Sequence, residues 1–132
     1  MAFLLEFDAG HNILRGTIKG HLTDAILFDC QAVATRYTKS HLPCRGIWDY
    51  SEVTEAQLSC DAVRQVERRQ PVISTGYTSV VVAPQDYVFG MMRMLEILSE
   101  KSRPALRVVR TMEEAYRLLG VETPEFGPVA QE

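Results

Sequence analysis

Several side chains with hydroxyl or carboxyl groups lie in the predicted loops between strands and helices. They are Asp49, Tyr50, Ser51, Tyr77, Asp86 and Tyr87. A carboxylate accepts hydrogen bonds, a hydroxyl both donates and accepts them, and a tyrosine adds an aromatic face. Open α/β sheets form their ligand crevices beside the carboxyl ends of their strands. Because these residues fall in loops at the predicted carboxyl edge, we expect them to form a surface that binds a ligand or a partner.

Asp49 ends a short apolar run and so occupies the place of the phospho-accepting aspartate in receiver domains. A receiver also needs an acidic pair after its first strand and a lysine after its last strand. Here Glu6 and Asp8 fall in a predicted hairpin, and Arg107 and Arg110 flank the late strand. We therefore expect Asp49 to be structural and to accept backbone hydrogen bonds in the following turn.

Motifs of established catalytic and metal chemistry are missing from the sequence. His11, His21 and His41 lie in three separate loop or turn positions, without the i, i+4 pair that a zinc site on a helix uses. No nucleophile elbow, phosphate-binding loop or dinucleotide fingerprint occurs. The sequence predicts no catalytic residue, no metal ion and no cofactor, and we expect the protein not to be an enzyme.

Charge and hydropathy narrow the classes of partner. The net charge is -3 and no basic face is evident, which argues against a nucleic-acid surface. No apolar run has the length of a membrane span, and Met1 to Glu6 lacks the basic leader of a signal peptide. We expect a partner that is neither nucleic acid nor membrane.

The cysteines indicate a reducing compartment. Cys30, Cys44 and Cys60 are odd in number and widely spaced, which favours free thiols and a cytoplasmic protein. Cys30 shares a helical face with apolar residues and is expected in the core. Cys44 follows Pro43 in a predicted loop, and we expect it to be the most reactive of the three.

Hydrophobic periodicity predicts strands and helices that alternate along one domain, residues 1–120. Alternation over 3–7 and 13–19 predicts an antiparallel hairpin, and Gly20 to Thr23 is expected to end its second strand. Apolar runs predict two buried strands, at 79–83 and 106–109, and residues 46–49 are expected to form a short strand. Residues 121–132, rich in proline and glutamate, are expected to form an extended or disordered tail.

Capping signals predict where four helices begin. Thr23 caps a helix that runs to about Thr38, and Pro84-Gln85-Asp86 opens the third helix. Capping boxes at Thr54 to Gln57 and at Thr111 to Glu114 predict the starts of the second and fourth helices. Gly120 is expected to end the fourth helix.

This succession resembles the STAS fold of SpoIIAA-like anti-sigma-factor antagonists and of sulphate-transporter cytoplasmic domains, over Phe3 to Gly120. The residues that carry the resemblance are Asp49-Tyr50-Ser51-Glu52-Val53 after the third strand, Ser79 to Ala83, Leu106 to Val109 and Thr111 to Leu119. The ending is similar to that of stand-alone bacterial members. The resemblance implies an α/β fold with a mixed, mostly parallel sheet of about five strands, an N-terminal antiparallel hairpin and about four flanking helices.

In regulated antagonists of this family, a serine in an Asp-Ser-Ser-Gly-like motif at the start of the second helix is phosphorylated to switch partner binding. The corresponding region here is Thr54-Glu-Ala-Gln-Leu-Ser-Cys60, so Ser59 lies near that place without the acidic and glycine neighbours. The resemblance therefore implies a regulatory module that lacks the usual phospho-switch motif. Because the free N–H groups and dipole of a helix N-terminus favour an anion, we expect Ser51 or Thr54 to suit a phosphate better than Ser59.

Three functions stay open at this point. The first is a non-enzymatic regulatory module that docks the edge from Asp49 to Thr54, with the second helix, onto a protein partner. The second is a small-molecule sensor or minor enzyme whose crevice is lined by Tyr50, Tyr77 and Asp86. The third is structural homodimerisation.

Overall fold

A mixed six-stranded sheet with helices on both faces forms the centre of the computed structural model, which describes residues 2–41 and 43–129. In chain order the elements are β1 (Phe3–Asp8), β2 (Ile13–Thr23), α1 (Asp24–Lys39), β3 (Arg45–Gln57), α2 (Cys60–Arg68), β4 (Ser79–Val82), α3 (Asp86–Leu98), β5 (Leu106–Val109), α4 (Met112–Leu119) and β6 (Gly127–Pro128).

The strand order is β5-β4-β3-β2-β1-β6. Strands β2, β3, β4 and β5 are parallel neighbours, whereas β1 is antiparallel to both β2 and β6. Asn12, with φ 57°, lies in the turn of the β1–β2 hairpin. The predicted mixed, mostly parallel sheet with an N-terminal hairpin is thereby confirmed. The two-residue β6 adds a strand to the five that were expected.

Alternation along β4 divides the core between the two faces of the sheet. Val81 packs into a cluster that includes Met92 and the apolar sides of α1, α2 and α3. Val80 and Val82 pack with Ala115 of α4 on the other face. Both faces of β4 are therefore covered. This agrees with its run of consecutive valines, which predicted a parallel strand buried on both faces.

A glycine in β2 leaves room for the tryptophan side chain of the neighbouring strand β3. A Cβ atom on Gly16 of β2 would lie 2.8 Å from the Cε3 atom of Trp48 in the neighbouring β3. The Trp48 indole N–H donates a hydrogen bond of 3.0 Å to the Ser79 hydroxyl of β4. Gly16 therefore provides the space in which the indole ring lies across the sheet.

The ends of α1 and α4 are as predicted. The Thr23 side chain accepts a hydrogen bond from the Ile26 N–H, and Thr111 does the same for Glu114. Gly120 ends α4 in the left-handed conformation, with φ 69°. These confirm both N-caps and the glycine C-cap.

Strands β2 and β3 are much longer than predicted, and two expectations are wrong as a result. Gly20 to Thr23 continue β2 rather than ending it, and Thr54 to Gln57 lie in β3 rather than opening a helix. The two extensions pair with each other through two register shifts. A Thr-x-x-Gln sequence is compatible with an exposed strand as well as with a helix N-terminus, and pairing with β2 favours the strand.

The described part of the C-terminal segment, 121–129, packs back onto the sheet. The Asp8 carboxylate, 1% exposed, accepts hydrogen bonds from the Glu125 N–H at 2.9 Å and from the backbone and ring nitrogens of His11. Burial alone would raise the pKa of Asp8, but these hydrogen bonds outweigh it and lower the pKa below its usual value. Arg15 lies 4.0 Å from the ring centroid of Phe126.

Candidate functional site

A two-stranded ribbon extends beyond the carboxyl edge of the parallel sheet. Strand β4 ends at Val82, which pairs with Asp49, whereas β3 continues to Gln57 and, among the residues described, pairs there with β2 alone. We call the exposed side chains of this extension the ribbon surface. They belong to Ser51, Glu52, Thr54, Glu55 and Gln57. The ribbon surface thus presents hydroxyl, amide and carboxylate groups from a single strand.

Asp49 organises the irregular part of β3. Its carboxylate, in a residue that is 8% exposed, accepts hydrogen bonds from the Ser51 N–H at 2.9 Å and from the Ser51 hydroxyl at 2.6 Å. The register of β3 against β2 shifts immediately after Asp49. The predicted structural role of Asp49 is confirmed, although the hydrogen bonds lie in a strand irregularity rather than in a loop.

Gln85 links the start of α3 to the irregular part of β3 that follows Asp49. Its side-chain nitrogen donates hydrogen bonds of 2.8 Å to the Tyr50 carbonyl and 2.9 Å to the Val53 carbonyl. These contacts cover part of the edge of β3 that β4 does not reach. Sequence reasoning missed Gln85, because nothing near it in the chain indicates two acceptors more than 30 residues away.

The N-terminal turn of α3 also holds the β3–α2 junction. The Tyr87 hydroxyl accepts a hydrogen bond from the Leu58 N–H at 3.1 Å and donates one to the Leu58 carbonyl. The side chain of Asp86 is 97% exposed and lies 2.7 Å from the Arg110 guanidinium. Tyr87 is 49% exposed, so its hydroxyl is engaged while much of its surface stays accessible.

Ser59 is the N-cap of α2, and its hydroxyl oxygen accepts a hydrogen bond from the Ala62 N–H at 3.0 Å. The expectation that Ser51 or Thr54 suits a phosphate better than Ser59 is wrong, because both lie inside β3 rather than at a helix N-terminus. Asp24, at the start of α1, accepts hydrogen bonds from the Ser59 N–H at 3.0 Å and from its hydroxyl at 2.8 Å. A carboxylate therefore already lies at the positive end of α2.

Two of the predicted site tyrosines do not lie where the sequence placed them. Tyr50 is a buried residue of β3, 5% exposed, rather than a loop residue. Tyr77 precedes β4, so it lies at the amino edge of the sheet, opposite to Asp86 at the start of α3. The predicted crevice at the carboxyl edge is therefore wrong in its position and in including Asp86, although Tyr50 and Tyr77 do line a common cavity, which opens at the amino edge. The other predicted residues, Asp49, Ser51, Thr54, Ser59, Asp86 and Tyr87, lie at the carboxyl edge.

A cavity of about 90 Å³ lies between the sheet and the three helices α1, α2 and α3. Its walls are mostly apolar and include Cys30, Trp48 and Tyr50. The segments at its rim, 71–77 and 103–105, precede β4 and β5, so it opens at the amino edge. The sequence did not indicate this cavity, because its lining comes from helices, strands and loops that are distant in the chain.

Burial controls the chemistry of the cysteines. It raises the pKa of Cys30 to about 12 and also raises the pKa of Cys44, which is 3% exposed. Both therefore remain protonated thiols at neutral pH. The expectation that Cys44 is the most reactive cysteine is wrong, because Cys60 is the exposed one.

Within residues 2–41 and 43–129, no three histidine, cysteine, aspartate or glutamate side chains lie close enough to hold a metal ion. None of the helices described has the length and apolar character needed to cross a membrane.

The fold is similar to that of a solved structure of the Bacillus cell fate determinant SpoIIAA in its phosphorylated form. The TM-score is 0.56 and the sequence identity 15%, over 89% of this chain and 99% of the other. No protein-family model and no curated protein matches this chain. The likeness establishes a SpoIIAA-like, STAS-type fold, as the sequence patterns had indicated.

Proposed function

We propose that this protein is a STAS-type regulatory module that acts by binding another protein rather than by catalysis. The observation that carries the proposal is the position of the ribbon surface and of Ser59 together at one exposed edge of a SpoIIAA-like fold. The phosphorylated state of SpoIIAA supports a regulatory role for this kind of fold. The free cysteines suit a reducing compartment, and we place the protein in the bacterial cytoplasm.

The charge of the ribbon surface suggests the chemistry of the partner. Glu52 and Glu55 are exposed, and neither forms an ion pair with another residue of the described ranges. Unpaired carboxylates on a rigid edge attract a complementary basic surface and increase the rate of encounter. The hydrogen bonds from Gln85 and Tyr87 hold this edge in place, so little ordering is needed on binding.

We further propose that partner binding is not switched by phosphorylation of Ser59. A phosphate there would add a charge of about -1.5 to -2 beside the Asp24 carboxylate, whose Oδ2 atom lies 2.8 Å from the Ser59 hydroxyl oxygen. The repulsion between the two anions disfavours that product. Asp24 instead supplies a permanent negative charge at the start of α2, and we infer that the module is always competent to bind.

Native mass spectrometry of the protein purified gently from its own cells tests both parts of this function. We expect a complex with another protein, carrying no phosphate. Glu55→Lys should abolish the complex, because it reverses a charge at the centre of the ribbon surface. The matched control is Glu100→Lys, a charge reversal of another exposed glutamate, located after α3 near the amino edge.

The outcomes separate the alternatives. A complex that survives Glu55→Lys, or that is lost equally in Glu100→Lys, contradicts the ribbon surface as the binding site. A homodimer without any other protein contradicts the proposal in favour of structural dimerisation. A protein that carries phosphate on Ser59 contradicts the second part alone.

A further inference from the structure

The cavity between the sheet and helices α1, α2 and α3 is larger than the small gaps that remain between close-packed side chains. Its volume of about 90 Å³ is several times the roughly 10–15 Å³ that one water molecule requires. Leu27, Val63, Met92 and Leu95 contribute apolar walls. Such walls offer water few hydrogen-bond partners, and apolar cavities of comparable size bind small organic molecules. The cavity is therefore suited to an apolar ligand rather than to a cluster of waters.

The tyrosine in the cavity lining indicates one polar contact for that ligand. Tyr50 lines the cavity and is 5% exposed, yet its hydroxyl forms a hydrogen bond with no side chain or backbone group of the residues described. Burial, with a contribution from Cys30, raises the pKa of Tyr50 well above its usual value. The hydroxyl thus remains protonated and can donate to an oxygen of a ligand. Because this hydroxyl has no partner among the described residues, it is free to form a hydrogen bond with a ligand oxygen.

The charges around the cavity indicate a neutral ligand. Arg103 is the charged side chain in the lining, and its guanidinium donates to the carbonyls of Val66 at 2.9 Å, Glu67 at 3.1 Å and Arg69 at 3.2 Å. These carbonyls form the C-terminal end of α2, whose partial negative charge balances the cation. Arg103 is accordingly committed to the helix end, and the interior offers no charge to pair with an anion.

We propose that this cavity is a binding site for a small neutral molecule with a slender, mostly aliphatic body and one oxygen that hydrogen-bonds to the Tyr50 hydroxyl. The site lies at the amino edge of the sheet, opposite to the ribbon surface, so it is independent of the proposed protein docking. The body of the ligand enters between segments 71–77 and 103–105 and contacts Trp48.

Trp48 makes the proposal directly measurable, because it is the only tryptophan and lines the cavity. The probe is 1-hexanol, and the expected result is a saturable change in Trp48 emission. Sodium hexanoate has the same chain length with a charged head, and we expect weaker binding of it, since nothing in the cavity neutralises the carboxylate. Tyr50→Phe preserves the shape of the wall and removes only the hydroxyl, so it should weaken 1-hexanol binding by about 2- to 10-fold.

Cys30→Leu is a second variant that fills part of the cavity and should also weaken 1-hexanol binding. Its circular dichroism spectrum checks folding, and if it does not fold, Tyr50→Phe decides alone. The absence of a saturable change in the wild-type protein overturns the proposal. Equal affinity in wild type and Tyr50→Phe overturns the role of the hydroxyl, and tighter binding of hexanoate than of 1-hexanol overturns the neutral ligand class.

Discussion

Ser59→Asp should destabilise this protein, although aspartate and serine are equally good N-cap residues in general. The reason is Asp24, whose carboxylate already lies 2.8 Å from the Ser59 hydroxyl oxygen and accepts its hydrogen bond. The substitution replaces this hydrogen bond with a repulsion between two carboxylates. At about 4 Å such charges repel by about 1 kcal/mol in water and about 4 kcal/mol near a low-dielectric surface. Because Ser59 is exposed, the lower value applies, and we expect a loss of about 1 kcal/mol.

Urea unfolding followed by circular dichroism at low ionic strength measures this loss. For a domain of this size the denaturant slope is about 2 kcal/mol per molar urea, so the midpoint should fall by about 0.5 M. The control is the double variant Asp24→Asn with Ser59→Asp, in which an amide can donate to the new carboxylate and the loss should disappear. If Ser59→Asp unfolds at the wild-type midpoint, or loses as much stability in the Asp24→Asn background, the repulsion argument is wrong.

Four further perturbations test individual contacts. Because folding lowers the pKa of Asp8, its carboxylate stabilises the protein fully above about pH 4, its pKa in the unfolded chain, and this stabilisation is lost as the pH falls through the lower pKa of the folded state. In Asp8→Asn, the urea midpoint should therefore fall less steeply as the pH is lowered below about 4. Gly90 lies exposed inside α3 with open space around it, so Gly90→Ala should raise the free energy of unfolding by about 0.5–1 kcal/mol in the same assay. Gly16→Ala should lower it by about 1–3 kcal/mol and shift the emission of Trp48, because the new methyl group meets the indole ring. In the native protein a maleimide should modify Cys60 alone, as intact-mass spectrometry can show, and labelling of all three thiols before unfolding would contradict the burial of the other two.

Local signals account for the elements that the sequence predicted correctly. Thr23 and Thr111 cap helices through hydrogen bonds to residues three positions away, and Gly120 ends α4 through its own backbone conformation. The hydrogen bond from the Ser51 N–H to the Asp49 carboxylate spans two residues and was also anticipated. Interactions of this range are encoded in a few consecutive residues and can be inferred without the rest of the fold.

The failures involve pairing between distant segments. Whether Thr54 begins a helix or continues a strand depends on β2, more than 30 residues earlier, whose Gly20 accommodates an irregularity instead of ending the strand. The same distance separates Asp24 from Ser59, so the carboxylate beside the helix N-cap could not be inferred from the neighbours of either residue. The predicted carboxyl-edge crevice failed for a related reason, because alternation along β3 turns Tyr50 into the core.

Helix α2 links the two proposed sites and decides how far they can influence each other. Ser59 begins the helix at the ribbon surface, whereas Val63 and Val66 line the cavity and Arg103 binds the carbonyls at its end. A helix of nine residues is about 13 Å long and moves as a unit. A ligand that fits the existing cavity leaves the hydrogen bonds between Ser59 and Asp24 in place, so ligand binding and protein docking are then uncoupled. A ligand large enough to displace Val63 must also move Ser59 relative to α1. Only such a ligand would bind with different free energies before and after α2 moves, and coupling between the two sites requires that difference.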